Sequence, residues 1–205
     1  MEPFLTATNN LHLRAKLGLE PEDVVIGKIA RLFKLKGHDD LLTIAPSLVS
    51  SCPQVKFLLV GDGPWRKRLE NQTCALGLGK HFVFAGLVPP QEVPFFVGIM
   101  DVLVHLSLRE GLPRALPQAL AAGRPVVAYD VDGAKEVCFD NETGFLLRRG
   151  DLSGLRERLL RLARDAALRE RLGRSGQQFV RQRFGVQQMV DDLYQLYVAL
   201  TAHPS

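Results

Sequence analysis

The chain has 205 residues, of which 46% are apolar and 23% are charged, and its formal net charge is +4. This composition is typical of a globular protein with a sizeable core, and it excludes a disordered, a collagen-like or a disulfide-framework chain. The apolar runs are far shorter than the roughly 20 residues that span a bilayer. The N-terminal residues lack the basic and apolar regions of a secretory signal.

Three widely spaced cysteines, Cys52, Cys74 and Cys138, favour a reducing compartment over a disulfide framework or a zinc site. We therefore expect a cytoplasmic protein. The basic residues lie on helix faces and do not form a focused stripe with exposed aromatics, so we expect no nucleic-acid partner.

Apolar runs and helical periodicities alternate along most of the chain. The apolar runs predict strands at residues 24–32, 55–60, 82–85, 102–106, 125–128 and 144–147. Helical spacing predicts helices at residues 38–51, 65–76, 92–98 and 113–122, and a helical segment over 152–202 with interruptions near 173–176 and 184–185. We interpret residues 1–20 as a connector, residues 21–185 as the main domain and residues 186–205 as a C-terminal helix and tail.

The alternation of strands and helices with short connections predicts an α/β fold, a doubly wound parallel sheet of the Rossmann-like type. Ligands of such sheets bind beyond the carboxyl ends of the strands. The candidate functional residues should therefore lie in the loops that follow the strands, at 33–37, 61–64, 86–90, 107–114 and 129–135.

The loop after the first strand carries two cations, Arg31 and Lys36, before Gly37 turns the chain into a helix. Two cations beside a helix N-terminus suit a phosphate or diphosphate, and they would repel each other while no anion is bound. The alternative is that both are surface charges paired with Asp39 or Asp40.

The loop after the second strand, VGDGPWR, has the first two glycines of a dinucleotide fingerprint, Gly61 and Gly63. Arg66 stands where the third glycine belongs, so the fingerprint fails and a tight strand-to-helix turn is favoured. The chain also has no Walker A sequence, which argues against ATP or GTP hydrolysis of the P-loop type.

The loop after the fourth strand, HLSLREGLPRALPQAL, places Ser107, Arg109, Glu110 and Gly111 directly before a helix. The free N–H groups and the positive end of that helix should face the carboxyl edge of the sheet. Glu110 and Gln118, which lies two helical turns further on, are suited to hydrogen bonds with hydroxyl groups. Neither residue forms a metal site alone, and we predict no metal site and no cofactor.

Four stretches, in this order, carry a family resemblance: IGKIARLFKLKGHDDLL, VKFLLVGDGPWRKRLE, the run from His81 to Val137, and NETGFLL. Together they cover about residues 24–150. This part of the chain resembles the C-terminal, donor-binding domain of GT-B glycosyltransferases of family 4, the group 1 transferases. The resemblance implies one half of a two-domain GT-B fold, followed by C-terminal helices. It also implies a retaining hexosyl transfer from a nucleotide diphosphate sugar, either a UDP-sugar or a GDP-sugar, to an acceptor.

The resemblance also assigns roles to individual residues. In the family, the residues that match Arg31 and Lys36 bind the donor diphosphate, and the Glu that matches Glu110 contacts the donor sugar. Arg31, Lys36 and Glu110 are therefore the implied catalytic residues. The implied donor-binding residues are Ser107, Gly111, Leu112, Pro113, Arg114, Gln118, Gly61, Gly86 and Leu87, with the loop at 86–90 near the base.

The chain departs from the family at Gln118, where a second Glu usually holds the ribose hydroxyls. Gln still forms hydrogen bonds with a diol, but without charge. Hydrogen bonds to charged groups contribute roughly 1.5–3 kcal/mol and neutral ones roughly 0.5–1.5 kcal/mol.

The N-terminal, acceptor-binding half of the family has no counterpart in these residues, so we expect the isolated chain to be inactive. The whole enzyme would be cytoplasmic, either free or peripheral to a membrane. The last helix of a GT-B fold commonly crosses back to the N-terminal half. We therefore expect part of an apolar stripe to be exposed, or to be covered by a second copy in a self-associated form. The stripe consists of Val186, Met189, Val190, Leu193, Leu196, Tyr197 and Leu200.

Two alternative functions remain open, a nucleotide-sugar epimerase half-domain on the same fold and a non-catalytic nucleotide-binding or interaction module. Two further polar positions receive structural interpretations. Asp130 and Asp132 resemble the Asp-x-Asp pair of metal-dependent sugar transferases of a different fold, but their position before Gly133 favours a turn. His105 lies in a buried strand pattern and is interpreted as structural.

Overall fold

The computed structural model describes residues 1–201, except for the side chain of Val186. The predicted tail over 202–205 lies outside the described residues. A six-stranded, parallel sheet forms the centre of the fold. Its strands are β1 (Val24–Ile29), β2 (Val55–Val60), β3 (Phe82–Gly86), β4 (Val102–His105), β5 (Val126–Tyr129) and β6 (Gly144–Leu147).

The strand order is β3-β2-β1-β4-β5-β6, which is the order of the doubly wound fold. The predicted Rossmann-like α/β class is therefore confirmed. The strands are nearly continuous apolar runs because both faces of the sheet are covered. Leu58 and Leu59 in β2 point to opposite faces, and both are buried.

Helices cover the two faces of this sheet. They are α1 (Glu2–Leu5), α2 (Leu11–Lys16), α3 (His38–Ser51), α4 (Arg66–Ala75), α5 (Val93–Gly98), α6 (Ala115–Ala121), α7 (Leu152–Arg164), α8 (Ala166–Arg183) and α9 (Val186–Thr201). The core on one face includes residues of α3, α4 and α7. The core on the other face includes residues of α1, α5 and α6, and α8 contributes to both.

The predicted interruption near 173–176 is wrong, because α8 runs unbroken from Ala166 to Arg183. The break falls earlier, at Asp165, whose side chain accepts a hydrogen bond from the Leu168 N–H and caps α8. Gly173 and Gly176 instead allow α8 to approach α6 closely. A Cβ on Gly173 would lie 2.0 Å from the carbonyl oxygen of Gly123, in the turn after α6.

Residues 1–20 pack against the domain. Phe4 of α1 is buried in the core on the α5–α6 face. Arg14 of α2 is also buried, and its guanidinium donates hydrogen bonds to the carbonyl oxygens of Ile99, Glu20 and Asp23. The connector therefore forms part of the cover on this face of the sheet.

The apolar side chains of α9 are exposed. This agrees with the first of the two alternatives expected from the sequence, which were exposure and cover by a second copy. From Met189 to Leu200 its large apolar residues are between 43% and 66% exposed. Val186, the first member of the predicted stripe, lies outside the described side chains. Across residues 1–201, none of the helices is both long enough and apolar enough to span a membrane.

Replacing Gly173 with Ala tests the close approach of α8 and α6. Helix propensity alone would make this change stabilising by about 1 kcal/mol. Because the added Cβ would meet the Gly123 carbonyl oxygen, we expect a loss of about 1–3 kcal/mol in the free energy of unfolding, measured by urea denaturation. Gly185→Ala is the control, since the nearest atom to a Cβ there would be the Arg181 carbonyl oxygen at an ordinary contact distance of 3.7 Å. A Gly173→Ala protein as stable as wild type would contradict the close approach.

Candidate functional site

A crevice opens at the carboxyl edge of the sheet, where β1 and β4 are neighbours. The chain winds from β1 towards β3 on one side and from β4 towards β6 on the other, and ligands of doubly wound sheets bind at this switch point. The crevice is lined by Phe4, Ile29, Ala30, Arg31, Lys36, Val88, Pro90, Val93, His105, Glu110, Pro113, Arg114, Ala115 and Gln118. The topology thus brings together residues that are far apart in the sequence.

The loops after β1 and β4 are joined by a close backbone contact. Gly37 has a left-handed φ of 64°, and a Cβ there would lie 2.1 Å from the carbonyl oxygen of Leu106. The Leu108 N–H donates a 2.9 Å hydrogen bond to the Leu35 carbonyl oxygen. The two loops therefore hold each other in place at the bottom of the crevice.

The two predicted phosphate cations have different surroundings. Arg31 is exposed, its guanidinium lies 5.5 Å from the centre of the Phe33 ring, and within residues 1–201 it forms no ion pair. Lys36 is ion-paired with Glu110. Both cations line the crevice, as expected, but the expected repulsion between them in the empty site is offset at Lys36 by the charge of Glu110.

The alternative pairing with Asp39 or Asp40 is also wrong. Asp39 forms an ion pair with Arg68, with 2.8 Å between Oδ1 and Nη1. Asp40 accepts a 2.8 Å hydrogen bond from the hydroxyl of Tyr129. Both carboxylates are engaged away from the two cations.

Glu110 is held by three contacts at the centre of the crevice. Its carboxylate accepts hydrogen bonds from Lys36 and, at 3.0 Å, from the Ser107 hydroxyl. Its backbone N–H donates to the carboxylate of Asp132. Partial burial opposes ionisation, but the hydrogen bonds from Lys36 and Ser107 outweigh it and lower the pKa of Glu110 below its usual value. Glu110 is therefore an ionised, fixed hydrogen-bond acceptor.

The segment with Asp130 and Asp132 forms the turn that the sequence favours, and it also supports the Glu110 loop. Asp132 adopts a positive φ of 51°. The next residue, Gly133, donates its N–H to the Gly111 carbonyl oxygen at 3.0 Å. This supporting role was not predicted, because it depends on contacts across about twenty residues of chain.

The other predicted donor-binding residues fall into three groups. Pro113, Arg114 and Gln118 line the crevice itself, with Gln118 on α6. An adjoining groove is lined by residues that include Gly61 and Leu87, and the Leu87 side chain is 83% exposed. The remaining predicted residues lie around these two sites: Ser107 behind Glu110, Gly111 and Leu112 in the exposed loop before α6, and Gly86 bonded to Gly61.

Gly61 and Gly63 form a tight turn after β2. This is the structure that the sequence favoured over a dinucleotide-binding fingerprint. A Cβ on Gly61 would lie 2.2 Å from the Ala30 carbonyl oxygen, and one on Gly63 would lie 2.5 Å from that of Leu32. The Gly61 N–H donates to the Gly86 carbonyl oxygen at 2.8 Å. These close contacts place the groove directly beside the loop that carries Arg31.

Three buried basic side chains lie beside the crevice, and sequence reasoning assigned none of them to the site. Burial lowers the pKa of Lys28 to about 7, that of His38 to about 4 and that of His105 to about 3. Lys28 and His38 were not singled out, although a Lys inside an apolar strand run is an unusual signal. His105 is buried, as expected of its strand, and its Nε2 lies 3.8 Å from Oε1 of Glu110.

A doubly wound sheet with cations and hydrogen-bonding groups gathered at its switch point defines a Rossmann-like α/β domain with a candidate ligand crevice at its carboxyl edge. The model of the family of glycosyl transferases group 1 matches residues 10–179. This match covers most of the chain, which therefore belongs to the glycosyl transferases group 1 family.

Two curated relatives are 2-deoxystreptamine glycosyltransferases by name. The 2-deoxystreptamine N-acetyl-D-glucosaminyltransferase of Streptomyces fradiae is 34% identical over 141 residues, which are 68% of this chain and 34% of the relative. The 2-deoxystreptamine glucosyltransferase of Streptomyces kanamyceticus is 31% identical over 175 residues, which are 85% of this chain and 45% of the relative. The chain thus spans about a third to a half of the length of these relatives.

Solved structures show the same fold. HepE of Anabaena in complex with UDP-glucose matches with a TM-score of 0.81 and 27% identity, over 94% of this chain and 55% of that one. The C-terminal domain of the group 1 family protein LpcC of Francisella tularensis matches with a TM-score of 0.77 and 21% identity, over 89% of this chain and 97% of that one. The second likeness shows the fold alone.

The buried Lys28 makes stability depend on pH in a defined direction. Its pKa is about 7 in the folded chain, because burial disfavours the charge, and about 10.4 in an unfolded chain. The unfolded chain binds more protons between these values, so stability rises with pH through this range and is lost as the pH falls towards 7. Between pH 7 and pH 9 the destabilisation by Lys28 should shrink, which raises the free energy of unfolding by about 2 kcal/mol.

Comparing wild type with Lys28→Met isolates this contribution, since both proteins share every other titrating group. Urea denaturation at several pH values should show the variant to be more stable at pH 7, with the difference shrinking as the pH rises. Lys56→Met is the control, because Lys56 also lies in a strand but donates a 3.0 Å hydrogen bond to the Lys80 carbonyl oxygen. A difference between wild type and Lys28→Met that stays constant with pH would contradict the buried, discharged amino group.

Proposed function

We propose that the chain is the donor-binding, C-terminal domain of a retaining glycosyltransferase of family 4, and that it binds a nucleotide diphosphate sugar. One observation carries the proposal: Arg31, the Lys36–Glu110 pair and Gln118 converge on one crevice at the switch point of the sheet. Family membership and the sugar-transferring relatives support it. So does HepE, whose structure with UDP-glucose has the same fold.

The proposed roles follow the chemistry of each group. Arg31 and Lys36 donate charge-assisted hydrogen bonds to the diphosphate, and Arg114 adds positive charge at the crevice wall. Glu110 accepts hydrogen bonds from hydroxyls of the donor sugar, and Gln118 binds the ribose diol. The cations stabilise the charge that develops on the diphosphate as it leaves, which is electrostatic catalysis by fixed groups.

The adjoining groove suits the base of the nucleotide. It borders the crevice through Arg31 and combines apolar side chains, Val88 and the exposed Leu87, with the close backbone of Gly61 and Gly86. An apolar wall beside closely packed backbone is a surface that suits a planar base. The choice between UDP and GDP would be made there.

We assign the acceptor to a second domain of a whole enzyme about twice this length. The relatives are two to three times as long as the segments they share with this chain, and the LpcC piece is by name a C-terminal domain. The exposed apolar face of α9 would contact that domain, or a second copy of this chain. Alone, the chain would bind the donor without transferring the sugar. Three free cysteines fit the cytoplasm, where thiols stay reduced.

A non-catalytic nucleotide-binding module is the second candidate, and the neutral Gln118 is the observation that favours it. An assay of donor hydrolysis by the parent protein, with UDP-glucose and GDP-mannose in turn, separates the two. Hydrolysis or transfer supports the enzyme. Nucleotide binding without either supports the module.

Arg31→Ala and Lys36→Ala should each weaken binding of UDP or GDP by roughly 1.5–3 kcal/mol, since each removes hydrogen bonds to a charged group. Titration calorimetry on the chain measures this. Uridine and guanosine, which lack phosphates, should bind the variants and the wild type alike. Salt should weaken diphosphate binding to wild type more than to the variants, because a partly exposed anion site is screened.

The same two variants should differ in stability. Arg31→Ala should change the free energy of unfolding by less than about 0.5 kcal/mol, as exposed changes usually do. Lys36→Ala also breaks the pair with Glu110, whose side chains are 23% and 24% exposed, so a loss of up to about 1 kcal/mol is expected. Unchanged diphosphate affinity in both variants would show that these cations serve the fold and not a ligand.

Gln118→Glu should keep the fold and tighten binding of UDP or GDP by at most about 1–2 kcal/mol, because a charged acceptor replaces a neutral one at the ribose diol. Gln182→Glu, at an exposed position of α8, is the matched control for the change in net charge. Calorimetry on both variants checks this. Equal or weaker binding by Gln118→Glu would show that the side chain at 118 does not reach the ribose.

A further inference from the structure

The amino group of Lys28 is buried beside the crevice without a partner. Lys28 precedes Ile29, which lines the crevice at the end of β1. The residue is 1% exposed, and among residues 1–201 its Nζ has no hydrogen-bond partner. A buried ammonium that lacks a partner is strongly unfavourable, so the position favours a neutral amine.

The charged and titratable groups near Lys28 come from α3, from β4 and from the loops after β1 and β4. Lys36, in the loop after β1, opposes its charge, whereas Asp40 of α3 and Glu110 of the loop after β4 favour it. His38 of α3 and His105 of β4 are also within electrostatic range.

Both carboxylates near Lys28 are already engaged by other groups. Asp40 accepts the Tyr129 hydroxyl at 2.8 Å, and Glu110 accepts Lys36 and Ser107. Neither forms a hydrogen bond with Lys28, so the amino group has no fixed counter-charge in the empty domain. An anion that enters the crevice would supply one.

We propose that a nucleotide diphosphate binds to this domain together with a proton, which the buried amino group of Lys28 takes up. The inference rests on the proposed function, because Arg31 and Lys36 must hold the diphosphate for its charge to reach Lys28. Coulombic attraction is strong at a buried site, where screening by water is weak. The bound anion therefore raises the pKa of Lys28 from its value of about 7, which burial sets in the empty domain.

Lys28 is the group that changes charge, and the two histidines are not. Burial holds the pKa of His38 at about 4 and that of His105 at about 3. If the bound anion raised each pKa by about two units, both histidines would stay neutral at pH 8, whereas most Lys28 side chains would be protonated. Glu110 is already ionised, since its pKa lies below the usual value.

Proton uptake by Lys28 gives the crevice an additional positive charge that is present only when the ligand is bound. The empty domain avoids a permanently buried, unpaired ammonium. The occupied domain gains a third cation behind Arg31 and Lys36. Lys28 is not part of the crevice lining and thus acts through the field of its charge.

Titration calorimetry of the chain with UDP, and with GDP, at about pH 8 in two buffers of different ionisation enthalpy counts the protons taken up. The terminal phosphate, with a pKa of about 6, has already lost its proton there. Wild type should take up between about a half and one proton, and Lys28→Met almost none. Lys56→Met, with its amino group outside the crevice and bonded to Lys80, should behave as wild type.

The affinities give a second readout. With a rise of about two units in the pKa of Lys28, Lys28→Met should bind UDP or GDP roughly fiftyfold more weakly than wild type at pH 7. The difference should shrink to about twofold by pH 9, where Lys28 loses its proton in the complex as well. Nucleotide binding by wild type without proton uptake, or uptake that persists in Lys28→Met, overturns this inference and leaves the proposed function intact. Failure of wild type to bind either nucleotide in any buffer overturns both.

Discussion

The chain changes its direction of winding between β1 and β4, and the crevice depends on that change. β1 pairs with β2 on one side and with β4 on the other. Because crossovers between parallel strands are right-handed, the helices that follow these two strands go to opposite faces of the sheet. Their loops diverge at the carboxyl edge and leave a space between them. Gly37 lies in close contact with Leu106 where the two loops meet, and Lys36 pairs with Glu110 between the same loops.

The same edge of the sheet places ionisable side chains where water is scarce. Lys28 is the last residue but one of β1 and His105 is the last residue of β4, and both side chains are buried. A core position would normally be apolar, since an unpaired amino group destabilises the fold. The presence of such a group beside the crevice is the kind of local conflict between folding and function that marks functional sites. The close packing of Gly61 and Gly63 on the first loop serves the fold, whereas Lys28 does not.

In this chain, sequence patterns predict the bounds of several helices and strands well, but they predict contacts between distant residues poorly. The predicted bounds of α3, β2 and β6 match the observed ones, because each is set by periodicity and by flanking residues within its own segment. Gly173 and Gly176 predicted a break because glycine disfavours helices, but a tertiary contact with α6 decides their role. Arg31, Lys36, Glu110 and Gln118 were singled out by their positions in and after the loops that follow β1 and β4, and the family resemblance assigned their roles. The pairing of Lys36 with Glu110 and the burial of Lys28 depend on contacts across the fold, which no local pattern contains.

Within the proposed function, the net charge of the crevice offers a physical reason for a neutral residue at Gln118. The lining holds Arg31, Lys36 and Arg114 as cations and Glu110 as a carboxylate, so positive charge exceeds negative by two when His105 is neutral. A nucleotide sugar carries about two negative charges on its diphosphate, and the released nucleoside diphosphate carries about three. A Glu at position 118 would strengthen the bonds to the ribose but remove one unit of that excess, so the two effects oppose each other. Gln118 preserves the attraction for the diphosphate, and the proton on Lys28 would add positive charge for the more strongly charged product.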